Sequence, residues 1–408
     1  MKKYLAGIAV LAGGLMIAQT ARAEEIWVTS LDDNTGATST VGKELGLGKS
    51  DAAAWINANG GINGKMIRYE AVDYAYKAPR AVAQYKKWMS GADKPAVMFG
   101  YGTADTEALV KFVTRDEIIY FSHSFSAKLT DPVGKFSGRS TPYNFFYGPT
   151  YSDGCRAIVQ WAADDWKKKG NSAKPKWVHM GANHPYPNSP KAACLAYAKQ
   201  LGFEVLPDIQ YSLRPGDFKG QCLTLQTSGA NYAYLANSAG SNIALLKSCT
   251  TVGVKVQYST NIYGMDERVM AAIGAGADGI VVPLAVAPSS ETSVPGMALI
   301  KKIAGDRELI TPHYIRAVCG MLLLREALVW ADKNGGISTA NIKNAMYQKK
   351  DWVAEGLDGV CLPSAYTATD HRGVDQVSLY KTSNANNEAS WTYLYTAKLP
   401  RIDEWFGK

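Results

Sequence analysis

The sequence predicts an α/β protein made of two parallel-sheet lobes, and three observations predict it. Short apolar runs alternate with amphipathic stretches of roughly 10 to 15 residues, the spacing of βαβ units. The alternation proceeds as far as Tyr143-Asn144-Phe145-Phe146-Tyr147 and then starts again. The chain has 408 residues, too many for one compact core, so two halves with separate cores are expected.

In the first half, Glu25-Ile26-Trp27-Val28-Thr29 reads as a strand. Residues 46–58 follow as a helix with Leu47, Ala52, Trp55 and Ile56 on its apolar stripe. Asn59-Gly60-Gly61 stops that helix, because these residues tolerate the positive φ of a helix end. Residues 66–72 form the next strand, 78–89 a helix, 95–100 a buried strand, 105–115 a helix and 118–122 a strand. In the second half helices are expected at 153–168, 189–201, 217–228, 242–252 and 265–273. Strands fall between them at 176–181, from Val205, at 231–236, at 254–258 and at 280–283. Residues 293–304 and 311–333 are long helices, the second apolar through Val318, Met321, Leu322, Leu323 and Leu328. From Cys361 onward Tyr, Thr and Val predominate, and that tail reads as extended and antiparallel. This order describes a two-lobed molecule whose chain crosses between lobes several times. It holds no internal repeat and no low-complexity linker.

The N-terminus carries Lys2 and Lys3, an apolar run over 5–18 and the small-x-small site Ala21-Arg22-Ala23. That is the layout of a secretory signal peptide over residues 1–23, cleaved after Ala23, and the run is too short for a permanent span. An exported product works in an oxidising compartment without ATP, which excludes most kinases, synthetases and nicotinamide enzymes. Six cysteines, an even count, then argue for disulfides. Fifteen connectivities are possible; the spacing offers the sequential pairs Cys155–Cys194, Cys222–Cys249 and Cys319–Cys361. None lies in a C-x-x-C pair, so neither a redox motif nor a zinc knuckle is expected.

Without Lys2, Lys3 and Arg22, 41 basic residues face 36 acidic ones, a net charge of about +5. Lys167-Lys168-Lys169 is the densest basic run and reads as a helix end, so no nucleic-acid partner is expected. Enzyme signatures are missing as well. There is no G-x-S-x-G elbow, no H-E-x-x-H, and no i, i+4 pair among the five histidines. No metal site, cofactor or catalytic residue is expected.

Several ordered segments resemble one family, the type I periplasmic solute-binding proteins of ABC importers, in the branched-chain amino acid (leucine/isoleucine/valine) group. Ala54-Trp55-Ile56-Asn57-Ala58-Asn59-Gly60-Gly61-Ile62-Asn63-Gly64-Lys65 is similar to its helix-to-strand turn. Asp73 matches an aspartate ending the second strand. Gly100-Tyr101-Gly102-Thr103-Ala104-Asp105-Thr106 and Ser122 through Thr130 resemble its first two ligand loops. Gly276-Ala277-Asp278-Gly279-Ile280 and Asp370-His371-Arg372-Gly373 resemble later segments. The resemblance implies two Rossmann-like lobes joined by three crossover strands, here near 142–148, 281–287 and 356–363. Residues 24–144 with 284–355 would form the N-terminal lobe, and 145–283 with 356–408 the C-terminal one. It further implies a periplasmic monomer that encloses a small-molecule solute by hinge closure and docks on an inner-membrane ABC permease.

Ligands of open α/β sheets sit beyond the carboxyl ends of the strands, where helix N-termini offer free N–H groups. Thr103 and Ser126 lie there, and either serve as helix caps or, as the resemblance implies, touch ligand. Gly102 belongs to the same loop, and Tyr101 and Phe125 flank it as cavity walls. From the second lobe the matching loops bring Tyr186, Asn237 and Tyr263. Tyr147 and Tyr151 lie at the first crossover. In amino-acid-binding members two acidic residues neutralise the ligand ammonium; here Thr150 and Ile262 stand at those positions. Asp153 and Asp266 are the nearest carboxylates, and Asp266 is the candidate for that role. An enclosed ammonium without a counter-charge costs several kcal/mol. The expected ligand is therefore a small organic acid or amide with an apolar or aromatic body. The alternatives are a branched-chain or hydrophobic amino acid, or a ligand sensor feeding a membrane receptor.

Overall fold

The computed structural model describes residues 24–408. The leader expected at 1–23, with its cleavage site, lies outside the described residues.

Five strands form the first sheet: β1 (Glu25–Asp32), β2 (Met66–Asp73), β3 (Val97–Gly100), β4 (Ile119–Ser122) and β5 (Asn144–Phe145). Their order is β2-β1-β3-β4-β5, with every pairing parallel. The helices between them are α1 (Ser39–Ala58), α2 (Ala78–Ser90) and α3 (Thr103–Asp116). β3 and β4 are buried at every position, which is why they read as continuous apolar runs rather than alternating ones.

α1 starts well before residue 46, where periodicity first announced it. Glycines in its first turns interrupt the apolar stripe, and packing explains them. A Cβ on Gly42 would meet Asp33 O at 2.0 Å, and one on Gly48 would meet Tyr314 O at 2.5 Å. The helix ends as expected. Gly60 and Gly61 take φ of 91° and 61°, and Gly61 N donates to Ile56 O at 2.9 Å, satisfying an end carbonyl. Asn57 ties the turn to β2: its Nδ2 donates to Ile67 O at 2.9 Å and its Oδ1 accepts from Ile67 N at 2.7 Å.

The second unit begins with α4 (Tyr151–Lys168), β6 (Lys176–Met180), α5 (Pro185–Asn188), α6 (Lys191–Gln200) and β7 (Glu204–Val205). It continues with α7 (Lys219–Ser228), β8 (Tyr232–Leu235), α8 (Ala239–Val252), β9 (Gln257–Thr260), α9 (Glu267–Ile273) and β10 (Val281–Leu284). The helix expected over 189–201 is α6, which opens at Lys191 with Pro190 as its N-cap; the short helix α5 before it was not foreseen. β9 pairs over 257–260 rather than 254–258; Val254 N instead closes the end of α8 on Cys249 O.

The chain then returns through α10 (Met297–Ala304), α11 (Pro312–Lys333) and α12 (Thr339–Met346), the last not foreseen from periodicity. α11 packs along α1 and is capped by Thr311, whose Oγ1 accepts from Tyr314 N at 3.3 Å. Four final strands follow: β11 (Ser364–Thr367), β12 (Asp370–Val374), β13 (Gln376–Ser383) and β14 (Ser390–Lys398). β11 and β12 form an antiparallel hairpin beside β5. β13 and β14 complete the second sheet, in the order β14-β13-β10-β9-β8-β6-β7. That sheet is parallel from β10 to β7 and antiparallel at β10-β13-β14, so the antiparallel tail is as expected.

The three expected crossing segments meet at Tyr147. Its hydroxyl donates to Ala285 O at 3.1 Å and to Leu362 O at 2.9 Å, while Val286 and Cys361 form an antiparallel bridge. All three expected disulfides are present, with Cα–Cα distances of 5.6 Å for Cys155–Cys194, 4.9 Å for Cys222–Cys249 and 6.0 Å for Cys319–Cys361. They join α4 to α6, α7 to α8, and α11 to the third crossing segment. Among the described residues no helix is long and apolar enough to cross a membrane.

Candidate functional site

Where the two lobes face each other, a cavity is lined by Thr38, Val41, Tyr76, Tyr101, Gly102, Tyr151, Tyr186, Ser238 and Tyr263. The first lobe supplies Thr38 and Val41 from the start of α1, Tyr76 after β2, and Tyr101 and Gly102 after β3. The second supplies Tyr151 from α4, Tyr186 from α5, Ser238 before α8 and Tyr263 after β9. Each follows the carboxyl end of a strand or opens a helix, the position that α/β architecture reserves for ligands. The cavity measures about 20 Å³, room for about one water molecule.

Five tyrosines make most of this wall, and their rings pack edge to face. Tyr76 and Tyr101 lie 5.7 Å apart, Tyr151 and Tyr186 5.4 Å, and Tyr186 and Tyr263 6.3 Å. Four hydroxyls are held by the protein, that of Tyr151 through a long bond to His123 O at 3.5 Å. Tyr101 donates to Thr38 Oγ1 at 2.9 Å, Tyr186 to Asn261 Oδ1 at 2.9 Å, and Tyr263 to His123 O at 2.7 Å. Burial raises the pKa of all five tyrosines, so their hydroxyls stay neutral at physiological pH.

Tyr101, Gly102, Tyr151, Tyr186 and Tyr263 thus come together as the sequence proposed. Gly102 has no alternative there: a Cβ would lie 2.3 Å from both Tyr76 Cε2 and Asp105 Oδ1. Phe125 stacks on Tyr263 at 5.5 Å from behind. The remaining candidates lie elsewhere in the structure. Thr103 Oγ1 accepts from Ser124 Oγ at 2.9 Å, and Ser126 Oγ donates to Glu107 Oε1 at 2.8 Å. Neither side chain caps a helix: Gly102 takes that place in α3, and Ser126, at the N-cap of a short 3-10 turn over 127–129, makes no capping bond with its hydroxyl. Tyr147 braces the crossing segments. Asn237 clamps three main-chain groups, of Ala182, Tyr211 and Ser212.

Carboxylates do not line the cavity. Asp266 caps α9 by accepting from Val269 N at 2.9 Å, and burial pushes its pKa up to about 6. Asp153 pairs with Arg156 at 2.8 Å. Two other acids stand behind the wall. Asp33 accepts from Gly36 N and from both N–H and O–H of Thr38. Asp105 accepts from Tyr74 OH at 2.8 Å and Gly102 N at 3.1 Å, and burial raises its pKa to about 7.

Sequence reasoning did not single out Thr38, Val41, Tyr76 or Ser238. Thr38 and Val41 were hidden by the late helix start. Tyr76 carried a signal in principle, since it lies just beyond the carboxyl end of a strand. Its backbone is also unusual, because Ala75 and Tyr76 both take positive φ, 54° and 55°. Non-glycine residues pay about 1–2 kcal/mol each for that conformation, which here turns the Tyr76 ring into the cleft.

A wider groove of about 820 Å³ runs past Glu107 and Lys128 of the first lobe, His184 and Tyr197 of the second, and Trp405 near the C-terminus. His184 adjoins both spaces, with its ring 5.4 Å from that of Tyr76. It also caps α5, accepting from Tyr186 N at 3.3 Å.

The sequence matches the family model described as periplasmic binding protein over residues 25–387. This chain belongs to the periplasmic binding protein family. Solved structures show the same fold. An ABC transporter substrate-binding protein from Aeropyrum pernix has a TM-score of 0.81 at 24% identity, covering 94% of this chain and 98% of that one. A branched-chain amino acid ABC transporter protein from Thermus thermophilus with bound valine has a TM-score of 0.81 at 18% identity, covering 92% and 97%. A solute-binding protein from R. palustris in complex with 4-hydroxybenzoate has a TM-score of 0.75 at 16% identity, covering 92% and 97%. A search of curated proteins returns no match. As a periplasmic binding protein, the chain has the α/β fold with parallel sheets in two lobes that the resemblance implied.

Proposed function

We propose that this protein is the periplasmic solute-binding component of an ABC importer. It captures a small organic acid or amide with an apolar or aromatic body and delivers it unchanged to an inner-membrane permease. The observation that carries this reading is the cavity wall: five tyrosines from both lobes and no charged side chain. An α-amino acid needs a counter-charge for its ammonium group, and neither Asp153 nor Asp266 supplies one at the cavity. A ring or short apolar chain fits between tyrosine faces, and Thr38 and Ser238 offer hydroxyls to an oxygen. The fold accommodates such cargo elsewhere, as in the R. palustris protein with 4-hydroxybenzoate.

In this reading residues 24–144 with 284–355 move as one lobe together with the β11–β12 hairpin, which packs beside β5 rather than in the second lobe expected for 356–408, and 145–283 with β13 and β14 move as the other. Solute touches both lobes only in the closed state, so binding shifts the population toward closure. No bond of the solute is broken and no cofactor takes part. The leader directs export, and the mature chain acts as a monomer. Mass spectrometry of small molecules that co-purify from native periplasm tests the proposal; an acid or amide of this class is expected. Tight leucine binding by calorimetry, lost in Asp266→Ala, would overturn the ligand assignment.

A further inference from the structure

We propose that Arg316 is the counter-charge for a carboxylate of the captured solute, which makes the cargo an acid rather than an amide. This rests on the solute-binding reading and narrows it. Arg316 lies on α11, is fully buried, and is among the largest side chains with no solvent exposure. Its Nη2 donates to Ile262 O at 3.2 Å. Nε and Nη1 have no hydrogen-bond partner. Among the described residues it makes no ion pair within 4.0 Å. A buried guanidinium holding one carbonyl costs several kcal/mol and calls for an explanation.

Its surroundings point to the cleft. The guanidinium carbon lies 4.7 Å from the ring centroid of Tyr263 and 5.9 Å from that of Phe125. Tyr263 is a wall of the cavity. The groups covering Arg316, Ile262 O and the Tyr263 ring, belong to the loop after β9 in the second lobe, whereas α11 packs on α1 in the first. When the lobes part, the cover leaves with its lobe and the guanidinium faces the opening. Once Ile262 O has left with its lobe, an entering carboxylate meets Nη2 together with Nε or Nη1, an edge of the guanidinium in the fork geometry suited to it. His123 Nε2 is a further buried ring nitrogen without a partner in the same region. Both neighbouring histidines are kept neutral, His123 and His313 having pKa values pushed well below the usual range by burial, so neither competes with Arg316 as a counter-charge for the anion. Of the acids on neighbouring elements, Asp266 caps α9 through Oδ1 and turns Oδ2 to His313 Nε2 at 3.5 Å, and Glu44 pairs with Arg268 at 2.5 Å.

The test is calorimetric titration of the mature protein with benzoate, 4-hydroxybenzoate and 3-phenylpropionate, each beside its amide. At least one acid is expected to bind, with its amide at least tenfold weaker. Arg316→Met should erase that preference, and Arg316→Lys should restore part of it. A crystal soaked with the binding acid should show its carboxylate on an edge of the Arg316 guanidinium, at Nη2 with Nε or Nη1. An amide binding as well as its acid, no acid binding, unchanged acid affinity in Arg316→Met, or only water at the guanidinium each overturns the proposal. If Arg316→Met fails to fold, the wild-type acid–amide comparison decides alone. Compaction in X-ray scattering on adding a neutral amide would leave the solute-binding reading intact while removing this one.

Discussion

The hydroxyl of Tyr263 donates to the main-chain carbonyl of His123 at 2.7 Å, joining the loop after β9 in one lobe to the loop after β4 in the other. The bond belongs to a seam. Arg268 of α9 pairs with Glu44 of α1 at 2.5 Å, and His313 Nε2 lies 3.5 Å from Asp266 Oδ2. The seam closes the cleft around very little space, so an occupied protein must part with some of these contacts. Tyr263→Phe removes one hydrogen bond while keeping the ring, a change worth about 1 kcal/mol. The ligand-free variant should shift toward the open state by about fivefold and show a larger radius of gyration in scattering. An unchanged scattering curve would mean that this bond does not hold the lobes together.

Gly102 admits no side chain, for reasons of space rather than backbone angle. Gly102→Ala would force Tyr76 and Asp105 aside and cost about 1–3 kcal/mol, the range for overpacking a filled site. Because both neighbours support the cavity wall, solute affinity should fall along with the melting temperature. A variant with wild-type melting and binding would show that the wall rearranges freely.

The Cys319–Cys361 disulfide fixes α11 to the third crossing segment, next to the bridge between Val286 and Cys361. Replacing both cysteines by alanine opens a 42-residue separation and should cost about 2–4 kcal/mol in chemical denaturation. Removing Cys222 and Cys249 in the same way should cost a similar amount of stability without altering the ligand-free scattering profile, since that pair lies within one lobe. A hinge effect from both pairs would contradict this division.

Much of the fold was legible because strands buried on both faces leave continuous apolar runs, as in Val97–Gly100 and Ile119–Ser122. The helix stop at Asn59-Gly60-Gly61 was equally plain, since few residues other than glycine adopt those φ values cheaply. What stayed hidden depended on tertiary packing. Gly42 and Gly48 weaken the pattern of α1 while permitting its contacts with Asp33 and Tyr314. Helix α5 has only four residues, too few to show a period. At the site, the aromatic candidates were found because they stand in or beside segments that resemble the family's ligand loops and first crossover. The hydroxyl candidates Thr103 and Ser126 were not separable from the lining residues Thr38 and Ser238, because their partners Ser124 and Glu107 are set by folding. Arg316 sits in an apolar helix, where a lone arginine gives no sign of being unpaired.

His371 contributes stability that depends on pH. Its Nδ1 lies 2.9 Å from Asn144 O and its Nε2 2.8 Å from Tyr347 OH. A carbonyl only accepts, so Nδ1 carries the proton and Nε2 accepts from the tyrosine. Burial, with Lys343 adding to it, lowers the pKa to about 3. The unfolded chain binds a proton below about 6.5 and the folded one does not. The contribution is therefore complete above pH 6.5 and lost as pH falls toward 3, up to about 5 kcal/mol in total. Urea unfolding of wild type and His371→Gln should show their stability gap narrowing between pH 7 and pH 4.5. A constant gap would mean that the imidazole is not held neutral.

Two buried cations of the first lobe should respond in opposite ways to the same substitution. Lys49 is fully buried but paired, reaching Asp32 and, at 2.6 Å, Ser30 Oγ. Lys49→Met leaves Asp32 as an uncompensated buried charge and should cost about 3–5 kcal/mol. Arg316→Met instead removes a charge that has no partner and strands only the Ile262 carbonyl. Replacing such a group by an apolar chain of similar length is neutral or stabilising by about 1–4 kcal/mol. Guanidinium unfolding of the ligand-free proteins separates the cases. A destabilisation in Arg316→Met as large as that in Lys49→Met would make Arg316 a structural prop. Retained or increased stability, together with loss of acid binding, is what a side chain kept for its cargo should give.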